Sequence, residues 1–555
     1  MNIDALFRKQ MMYTAITTVL LWAASGIAPA FAGSEQREGG VHSENRDDDR
    51  MLRPNGGENR VSVQSGEVAA RSAVVWGRCN REQPARLQVQ LFESGEEYER
   101  GKGRVVEETQ VTDETDFTGS VMFRGLKPDT DYAYRVWCLP QQGTRQNHSN
   151  KKMVDRSAIG SFKTAPGRRN AETVRFVWAA DLAGQGWGRN PDLSIVDTWG
   201  ETLTGGYVIF DVMRKLEPDF AVFAGDIIYA DNPIPPVKEI PLEVGGGIWV
   251  NDPIKDFVAL SLDDYRENWK YNLGDAKLQR FLLKTPIYTQ WDDHEVANNW
   301  YPGEILTADP FNGIEADYLA EISRQALFEY NPLRGSELFR KVQHGKHMEL
   351  FLLDERSYRD ANSLNRDPTG IEMLGEAQYE WLKQSLKESK ATWKVISTHD
   401  PLSLVTGGEG DWDAWAQGDA AVLGREVQLR ELLRFIKDEG ITNVVYITAD
   451  VHFAAAISYL SDRASGDQVD FEPFWEFVIG PVHAGVFGPN ALDSSFGPSF
   501  EYVRGPATEG LPQNLPPPNL QTFGYAEVSE EGLFTVRIHD IDGAVLYEKI
   551  LKPQH

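Results

Sequence analysis

Five strand-like runs along this chain end in a residue that carries a carboxylate or an imidazole group. The runs occupy 176–180, 220–225, 285–290, 395–398 and 444–449, and they are followed, directly or after one residue, by Asp181, Asp226, Asp292, His399 and Asp450. Continuous apolar runs of this length predict strands that are buried on both faces of a sheet. Because ligands of open α/β sheets bind beyond the carboxyl ends of the strands, we expect these side chains to converge in space.

From about residue 168 onward, such runs alternate with amphipathic segments, a pattern that predicts an α/β fold. The periodicity predicts helices at 320–330, 375–389 and 426–438. The segments 232–263 and 484–523 are rich in Pro and Gly, and we interpret both as active-site loops.

Residues 61–167 show a different pattern. The segment 85–92 alternates apolar and polar residues, 73–79 is β-branched and aromatic, and a turn leads into a third strand candidate at 131–136. Short strands at this spacing predict a β-sandwich similar to fibronectin type III or immunoglobulin domains. Cys79 and Cys138 both fall in this region, where they form either one disulfide or two free buried thiols.

The first residues have the pattern of a targeting segment. Basic residues at 8–9 precede the mostly apolar stretch 11–30, and a small-x-small pattern ends at Ala32. We predict an export signal peptide at 1–32, with an uncleaved anchor as the alternative, and a disordered linker at 33–60. The predicted divisions are 1–32, 33–60, 61–167 for the sandwich and 168–555 for a catalytic domain. The expected location is periplasmic, secreted or cell-surface.

The formal net charge of −27 restricts the partners of the chain. A protein surface with this charge repels nucleic acids and anionic membranes, and no part of the sequence indicates a basic groove. We therefore expect no nucleic-acid partner and no stable membrane insertion after removal of the signal peptide. We expect a monomer that acts on small molecules.

The densest group of candidate ligands lies at 291–299, which reads Trp-Asp-Asp-His-Glu-Val-Ala-Asn-Asn. Crowded carboxylates at a sheet edge cost free energy unless a positive charge offsets them, and the simplest positive object is a bound cation. Oxygen donors select Ca²⁺, Mg²⁺, Mn²⁺ or Fe³⁺. A solvated acidic loop that caps a helix is the alternative.

The order of these motifs resembles a known family. The ordered set consists of Asp181, Gly225-Asp226-x-x-Tyr229, the acidic block 292–295, His399 and Asp450-x-His452. This order resembles that of the calcineurin-like metallophosphoesterases. The segments 225–231, 291–299, 353–359 and 374–382 are similar in particular to the alkaline phosphatase D (PhoD-type) branch, and the resemblance extends over about residues 61–550.

The resemblance implies a role for each matching residue. The implied metal ligands are Asp181, Asp226, Tyr229, Asp292, Asp293, Asn299, Asp450 and His452. Within this set, Asp226 is expected to bridge two ions, and Tyr229 is expected to bind Fe³⁺ as a phenolate. His399 and Asp354 are candidates either for metal binding or for the support of ligands.

The resemblance also implies catalytic residues. Asp226 counts among them through its bridging position. Arg356 is expected to clamp the phosphate. The chemistry of ester cleavage, rather than the resemblance, predicts that His294 steadies or protonates the leaving group, with Glu295 or Asp292 orienting its ring; a structural histidine is the alternative.

Two positions depart from the family pattern. Asp181 stands where relatives carry His or Cys, and Asp450 replaces one His of a Gly-His-x-His motif. Both changes favour oxygen ligation and hence calcium. The expected cofactors are Ca²⁺ and Fe³⁺, or another pair of divalent and transition metals.

The resulting hypothesis is a metallophosphoesterase α/β sandwich preceded by the N-terminal β-sandwich. We expect an exported alkaline phosphatase that hydrolyses phosphate monoesters, and diesters as further substrates, with a metal-activated water or oxide. One alternative is a phosphodiesterase or phospholipase D-like enzyme that acts on lipid head groups. Another is a non-catalytic cell-surface binding protein that metals stabilise.

Overall fold

Two large β-sheets dominate the part of the chain that the computed structural model describes, which is residues 61–93, 105–140 and 157–554. The signal peptide expected at 1–32 and the linker expected at 33–60 lie outside these residues. Within these ranges, no helix combines the length and the apolar character needed to cross a bilayer.

The first sheet has nine strands. In sheet order they are β28 (Val545–Leu551), β27 (Phe534–Asp540), β26 (Thr522–Val528), β8 (Val174–Ala179), β11 (Phe220–Ala224), β14 (Ile287–Gln290), β1 (Ser62–Ala69), β2 (Ser72–Arg78) and β5 (Thr118–Arg124). The central strands β8, β11 and β14 run parallel to one another.

The second sheet has seven strands. In sheet order they are β17 (Arg340–His344), β18 (Met348–Leu352), β19 (Trp393–Ser397), β22 (Val444–Thr448), β24 (Phe474–Val478), β23 (Ala454–Tyr459) and β25 (Pro498–Arg504). Strands β18, β19, β22 and β24 are parallel.

The two sheets pack face to face, and helices cover their outer faces. Side chains at alternate positions, such as Phe176 and Val222 of the first sheet and Val395 of the second, share one core between the sheets. The intervening side chains Phe223 and Ile396 belong to two other cores, which include helical residues. The strands are therefore buried on both faces, as the continuous apolar runs predicted.

The described part of the chain contains seven α-helices. They are α1 (Ile209–Lys215), α2 (Leu262–Leu273), α3 (Ala276–Leu282), α4 (Ala316–Tyr330), α5 (Gly375–Glu388), α6 (Glu426–Asp438) and α7 (Pro506–Glu509). The three predicted helices, α4, α5 and α6, are confirmed. Helix α4 begins before the predicted residue 320 because Ala316 and Leu319 extend its buried face. Helix α2 was not predicted because its sequence is mostly polar, although Ser261 and Asp264 form a capping box at its start.

The N-terminal strands occupy two sheets. A separate four-stranded sheet has the order β4 (Val105–Val111), β3 (Ala85–Phe92), β6 (Asp131–Pro140) and β7 (Ala158–Lys163). Strands β1, β2 and β5 instead extend the nine-stranded sheet, where Gly66 of β1 lies opposite Ile287 of β14. A Cβ atom on Gly66 would lie 2.4 Å from the Ile287 carbonyl oxygen, so this close approach requires glycine.

Four short strand pairs lie outside the three larger sheets of the described residues. The small pairs are β9 (Ser194–Val196) with β10 (Thr202–Thr204), β12 (Val237–Glu239) with β13 (Ile248–Val250), β15 (Ile305–Leu306) with β16 (Ile314–Glu315), and β20 (Gly407–Gly408) with β21 (Asp411–Trp412). The segment 232–263 contains the β12–β13 hairpin, and 484–523 contains β25 and α7.

A disulfide joins Cys79 to Cys138, with their Cα atoms 5.9 Å apart. Cys79 directly follows β2 and Cys138 lies in β6, so the bond links the nine-stranded sheet to the four-stranded sheet. The two residues are 59 positions apart in the sequence. The cross-link therefore closes a long loop and restricts the unfolded chain.

Replacing Cys79 and Cys138 together by Ser should lower the free energy of unfolding of the N-terminal region by about 2–4 kcal/mol, since the unfolded chain regains the entropy of that loop. The measurement is urea unfolding followed by intrinsic fluorescence. The wild-type protein under reducing conditions is the matched control, and it should unfold at the same lower urea concentration. An unchanged midpoint in the double variant would contradict the prediction.

Candidate metal centre

The predicted ligand residues meet where the carboxyl ends of the two sheets lie together. In the first sheet, β8, β11 and β14 deliver Asp181, Asp226 and Asp292 to one edge. In the second sheet, β19 and β22 deliver His399 and Asp450. Potential ligand atoms from both sheets approach to within 4.8 Å of one another, so the structure brings these distant residues together.

The backbone at these strand ends adopts an uncommon conformation. The φ angles of Asp181, Asp226 and Asp450 are 60°, 53° and 69°, which place all three residues in the left-handed region. Aspartate tolerates this region better than most residues, yet each such residue still costs free energy. The turn directs the carboxylate beyond the end of its strand.

Potential donor atoms of the described residues form five overlapping clusters, of which two combine Asp292, His399 and Asp400, and Asp400, Asp413 and Asp450. The other three hold most of the predicted ligands. The first contains Asp181, Asp226 and His452, the second Asp226, Asp293 and His294, and the third Asp292, Asp293 and Asp450. Asp226 belongs to the first two clusters, and Asp293 belongs to the second and third. The donor set is therefore continuous and large enough for more than one cation.

His452 has the hydrogen-bonding pattern of a metal-binding histidine. Its Nδ1 atom lies 2.5 Å from the Gly485 carbonyl oxygen, which assigns the ring proton to Nδ1. Burial lowers the pKa of His452 to about 4, so the ring is neutral near neutral pH. The unprotonated Nε2 atom lies 2.7 Å from the Tyr229 hydroxyl and 3.5 Å from Asp181 Oδ1.

Tyr229 completes the first cluster. Its ring stacks on His294 with centroids 4.2 Å apart. On another side, Gly184 lies so close that a Cβ atom there would be 2.5 Å from Tyr229 Cζ. Burial and the charge of Asp226 raise the pKa of the Tyr229 phenol well above its usual value, so a phenolate at this position requires a cation.

The buried carboxylates repel one another and are arranged to bind a cation. Both oxygens of Asp181 and Oδ2 of Asp226 are buried, and none of them has a hydrogen-bond partner among the described residues. Burial and neighbouring carboxylates raise the pKa of Asp181, Asp226 and Asp450 well above their usual values. Unpartnered buried oxygen atoms in a field of like charge are the donor set that hard cations bind.

Asp292 differs because the protein itself compensates its charge. Burial alone would raise its pKa, but Arg356 and His399 hold it below its usual value. Arg356 Nε donates to Asp292 Oδ1 over 2.6 Å, and His399 Nδ1 lies 2.9 Å from the same oxygen. Asp292 therefore stays ionised and oriented.

His294 is oriented by a residue outside the predicted set. Its Nδ1 atom lies 2.7 Å from Asp231 Oδ1, whereas Glu295 and Asp292 make no such contact. The expectation that Glu295 or Asp292 orients this ring is thus wrong. Although burial lowers the pKa of His294, Asp231 and Asp293 outweigh this effect and raise it to about 10.

Glu295 instead supports the loop that carries the ligands. Its Oε2 atom accepts the N–H groups of Asp226 and Asp292 over 2.9 and 2.7 Å, and its Oε1 atom accepts those of Ile227 and Ile228 over 2.8 and 3.2 Å. One buried carboxylate therefore fixes the loops after β11 and β14 relative to each other.

Arg356 is inaccessible to a substrate in this arrangement. Its side chain has no exposed surface, and Nη1 and Nη2 donate to both oxygens of Asp413 over 2.7 and 2.8 Å. Nη2 also lies 3.4 Å from Asp400. Arg359 contacts the same two acids. The geometry does not support Arg356 as a phosphate clamp, because each of its nitrogen atoms already contacts a carboxylate.

His399 and Asp354 were each expected either to bind metal or to support ligands, and they occupy different positions. His399 lies beside Asp292, and its Nε2 atom accepts the Glu355 N–H over 3.1 Å. Asp354 belongs to none of the donor clusters among the described residues. Its carboxylate accepts the Trp291 indole N–H over 2.9 Å and the Ser357 hydroxyl over 2.6 Å, so it supports the residue before Asp292.

Asn299 lies on the outer side of the third cluster. Its main-chain N–H donates to Asp293 Oδ2 over 2.7 Å, and its side-chain amide donates to Asp411 over 2.9 Å. The amide oxygen of Asn299 therefore remains available as a ligand. Asn299 and Asp450 are partly exposed, which places them on the side of the centre that faces solvent.

Asp231, Asp400 and Asp413 take part in the centre, although none of them was among the predicted site residues. Each has a local signal, because Asp231 follows Asp226 by five residues, Asp400 follows His399 directly and Asp413 lies in an acidic stretch with Asp411. Their partners, however, lie 41 to 63 positions away in the sequence. Only the folded chain reveals those pairs.

Two solved structures resemble this fold. The structure of PhoD aligns with a TM-score of 0.62 at 19% identity and covers 89% of this chain and 92% of its own. Purple acid phosphatase PPD1 from yellow lupin (Lupinus luteus) seeds aligns with a TM-score of 0.53 at 12% identity, over 89% and 74%. The fold is therefore a metallophosphoesterase-type α/β fold.

Sequence comparison defines the family. The family model described as PhoD-like phosphatase matches residues 176–537, and the model of its N-terminal domain matches residues 50–166. The chain therefore belongs to the PhoD-like phosphatase family. This result confirms the predicted resemblance and, at the level of the family, the predicted class of phosphoric ester hydrolase.

A curated relative supports the same assignment. Alkaline phosphatase D of Bacillus subtilis (strain 168) is 28% identical over 304 residues, which are 51% of this chain and 48% of the relative. The match thus spans about half the length of that protein.

Replacing Glu295 by Gln should destabilise the centre, because a neutral amide has one acceptor oxygen and would leave buried N–H groups unpaired. We expect a loss of about 1–3 kcal/mol in the free energy of unfolding and a lower metal content. Urea unfolding and elemental analysis are the measurements. The exposed Glu315→Gln variant is the control, and equal stability and metal content in both variants would contradict the role of Glu295.

Proposed function

We propose that this chain is an exported, metal-dependent alkaline phosphatase that hydrolyses phosphate monoesters, with diesters as further substrates. The observation that carries the proposal is the position of Asp226 in two adjacent donor clusters. A two-metal hydrolase needs a carboxylate that bridges its ions. Membership in a phosphatase family supports the same reaction class.

The donor chemistry of the clusters supports two different cations. Asp181, Tyr229 and His452 offer carboxylate, phenol and imidazole groups, a set that suits Fe³⁺. Asp292, Asp293, Asp450 and the amide oxygen of Asn299 offer oxygen atoms, which suit Ca²⁺. When bound, such cations supply charge neutralisation for the phosphoryl oxygens and lower the pKa of a water molecule.

His294 and Asp231 act as a pair on the leaving group in this proposal. The contact of Asp231 with Nδ1 leaves the opposite nitrogen, Nε2, as the atom that can present a proton. The stack on Tyr229 restricts rotation of the His294 ring. If it stays protonated instead of binding a cation, the fixed imidazole of His294 within the second cluster is suited to protonate the departing alkoxide.

Arg356 has a supporting role rather than a direct one. Its contact with Asp292 keeps that carboxylate ionised, while Asp413 and Asp400 balance the charge of the guanidinium. We assign to Arg356 the orientation of Asp292, and the phosphoryl oxygens are left to the cations and to His294.

The arrangement of domains and the location are part of the same proposal. We assign residues 1–32 to an export signal, 33–60 to a linker, 61–167 to an accessory β-sandwich of fibronectin type III or immunoglobulin type, and 168–555 to the catalytic domain. The Cys79–Cys138 disulfide supports folding in an oxidising compartment, that is, periplasmic, secreted or at the cell surface. The enzyme is proposed to act as a monomer.

The reaction is tested with the purified protein on nitrophenyl phosphate and on bis-nitrophenyl phosphate, together with elemental analysis. The proposal requires turnover of the monoester, loss of turnover on chelation, and calcium and iron in the protein. Faster turnover of the bis-ester would identify a phosphodiesterase. A protein that binds metals and hydrolyses neither ester would refute an enzymatic role.

Replacing Asp226 by Asn should abolish hydrolysis and lower the content of both metals, because the amide cannot offer two anionic oxygens to two cations. The exposed Asp462→Asn variant should retain wild-type activity and metal content. Activity assays and elemental analysis of the same preparations check the prediction. Full activity of Asp226→Asn would exclude the bridging role.

Replacing Asp231 by Asn should lower kcat about tenfold or more on phenyl phosphate, whose poor leaving group needs a proton. The loss should be much smaller on nitrophenyl phosphate, which leaves readily as an anion. Because the two residues act as a unit, Asp231→Asn should add little to the loss in His294→Asn. Equal losses on both esters, at unchanged metal content, would contradict proton donation.

A further inference from the structure

A short hairpin stands beside the metal centre. An antiparallel contact between Ile234 and Lys255 closes its stem, and strands β12 and β13 form its arms. Across the arms, Val237 pairs with Val250 and Lys238 pairs with Trp249. Because side chains alternate between the faces of a strand, these two pairs point in opposite directions.

The inner face of the hairpin is fixed to the protein. Trp249 is 2% exposed and meets the Trp187 ring edge-on at 5.7 Å. Lys238 Nζ lies 3.9 Å from the centre of the same Trp187 ring. At the stem, Lys255 Nζ donates to the Tyr229 carbonyl oxygen over 2.8 Å. The hairpin is therefore anchored to the wall that carries a proposed metal ligand.

A short path of contacts leads from the hairpin to the first donor cluster. Lys238 Nζ also donates to the Gln185 carbonyl oxygen, and Gln185 Oε1 accepts the Gly485 N–H over 3.1 Å. The Gly485 carbonyl oxygen is the partner of His452. Three contacts thus connect the hairpin to His452 of the first donor cluster.

The outer face of the hairpin is apolar and exposed. Val237 is 55%, Ile248 64% and Leu242, at the tip, 88% exposed. Val250 and Ile254 are exposed as well. Single exposed apolar residues are ordinary, but several on one projecting hairpin form a patch of the kind that marks an interaction site.

Acidic residues surround this apolar patch. Glu239, Glu243, Asp252 and Asp256 are all exposed on the same hairpin or its return to the stem. Together with the net charge of −27, they disfavour contact with an anionic surface. They are complementary to the ammonium groups of zwitterionic lipids, below which apolar side chains reach the acyl boundary.

We propose that the outer face of the β12–β13 hairpin docks on the surface of zwitterionic lipids and so holds the protein at that surface. The docking requires no spanning segment and no covalent step. It does not depend on the proposed phosphatase reaction, because the patch lies outside the donor clusters.

Flotation of the full chain with phosphatidylcholine vesicles tests the proposal, with phosphatidylglycerol vesicles in parallel. The wild-type protein should float with phosphatidylcholine and bind phosphatidylglycerol more weakly. The triple variant Val237→Thr, Leu242→Gln, Ile248→Thr should lose about tenfold or more of its binding. The control variant Val545→Thr, Ile550→Thr removes apolar side chains of similar exposure from β28 and should bind as the wild type does.

Each other outcome overturns the proposal. Failure of the wild-type protein to float would exclude docking on lipid, and equal flotation of the triple variant would assign the docking to another surface. Equal binding of both lipids would refute selection by the acidic residues. If the wild-type protein does not bind lipid, and sedimentation shows that it is a dimer while the triple variant is a monomer, the face is a contact between two copies of the chain. Equal urea unfolding midpoints of the wild-type protein and all variants show that a loss of binding is not a loss of folding.

Discussion

Repulsion between buried carboxylates is the constraint on which this structure depends. Asp181, Asp226, Asp293 and Asp450 come from separate strand ends, yet their oxygen atoms lie in overlapping clusters, and the first three are almost completely buried. Burial and mutual repulsion raise the pKa of each. An arrangement this costly persists only if the surrounding fold imposes it and if something positive offsets it.

The surrounding fold compensates the negative charge of the carboxylates on one side of the centre but not on the other. On one side, Arg356 and Arg359 lie among Asp292, Asp400 and Asp413, and the charges there are compensated by the chain itself. On the other side, the oxygen atoms of Asp181 have no described donor. The centre therefore has one wall of fixed ion pairs and one wall of open ligands. This asymmetry leaves unpartnered oxygen atoms for cations, while the ion pairs hold the other acids in place.

The sequence predicted the parts of this centre that have a local signal, and it did not predict those that depend on contacts between distant residues. Asp226 and Asp450 could be found because each directly follows a buried strand, and that signal is local. The partner of His294 could not be found in the same way, because Asp231 lies 63 positions away and only the packing of two loops brings it near. The role of Arg356 was misjudged for the same reason, since a buried guanidinium cannot be distinguished from an exposed one in the sequence. Helix α2 was missed because its polar composition hides its apolar face.

The nine-stranded sheet contains strands from both sides of residue 167, and this bears on how the two regions evolved. Strand β1 covers the outer hydrogen-bonding edge of β14, the strand that leads to Asp292. A shortened chain without residues 61–167 would expose that edge, and a bare edge strand is a template for aggregation. The N-terminal region therefore acts as a built-in edge protector, and the two regions are expected to be inherited together rather than exchanged as separate modules.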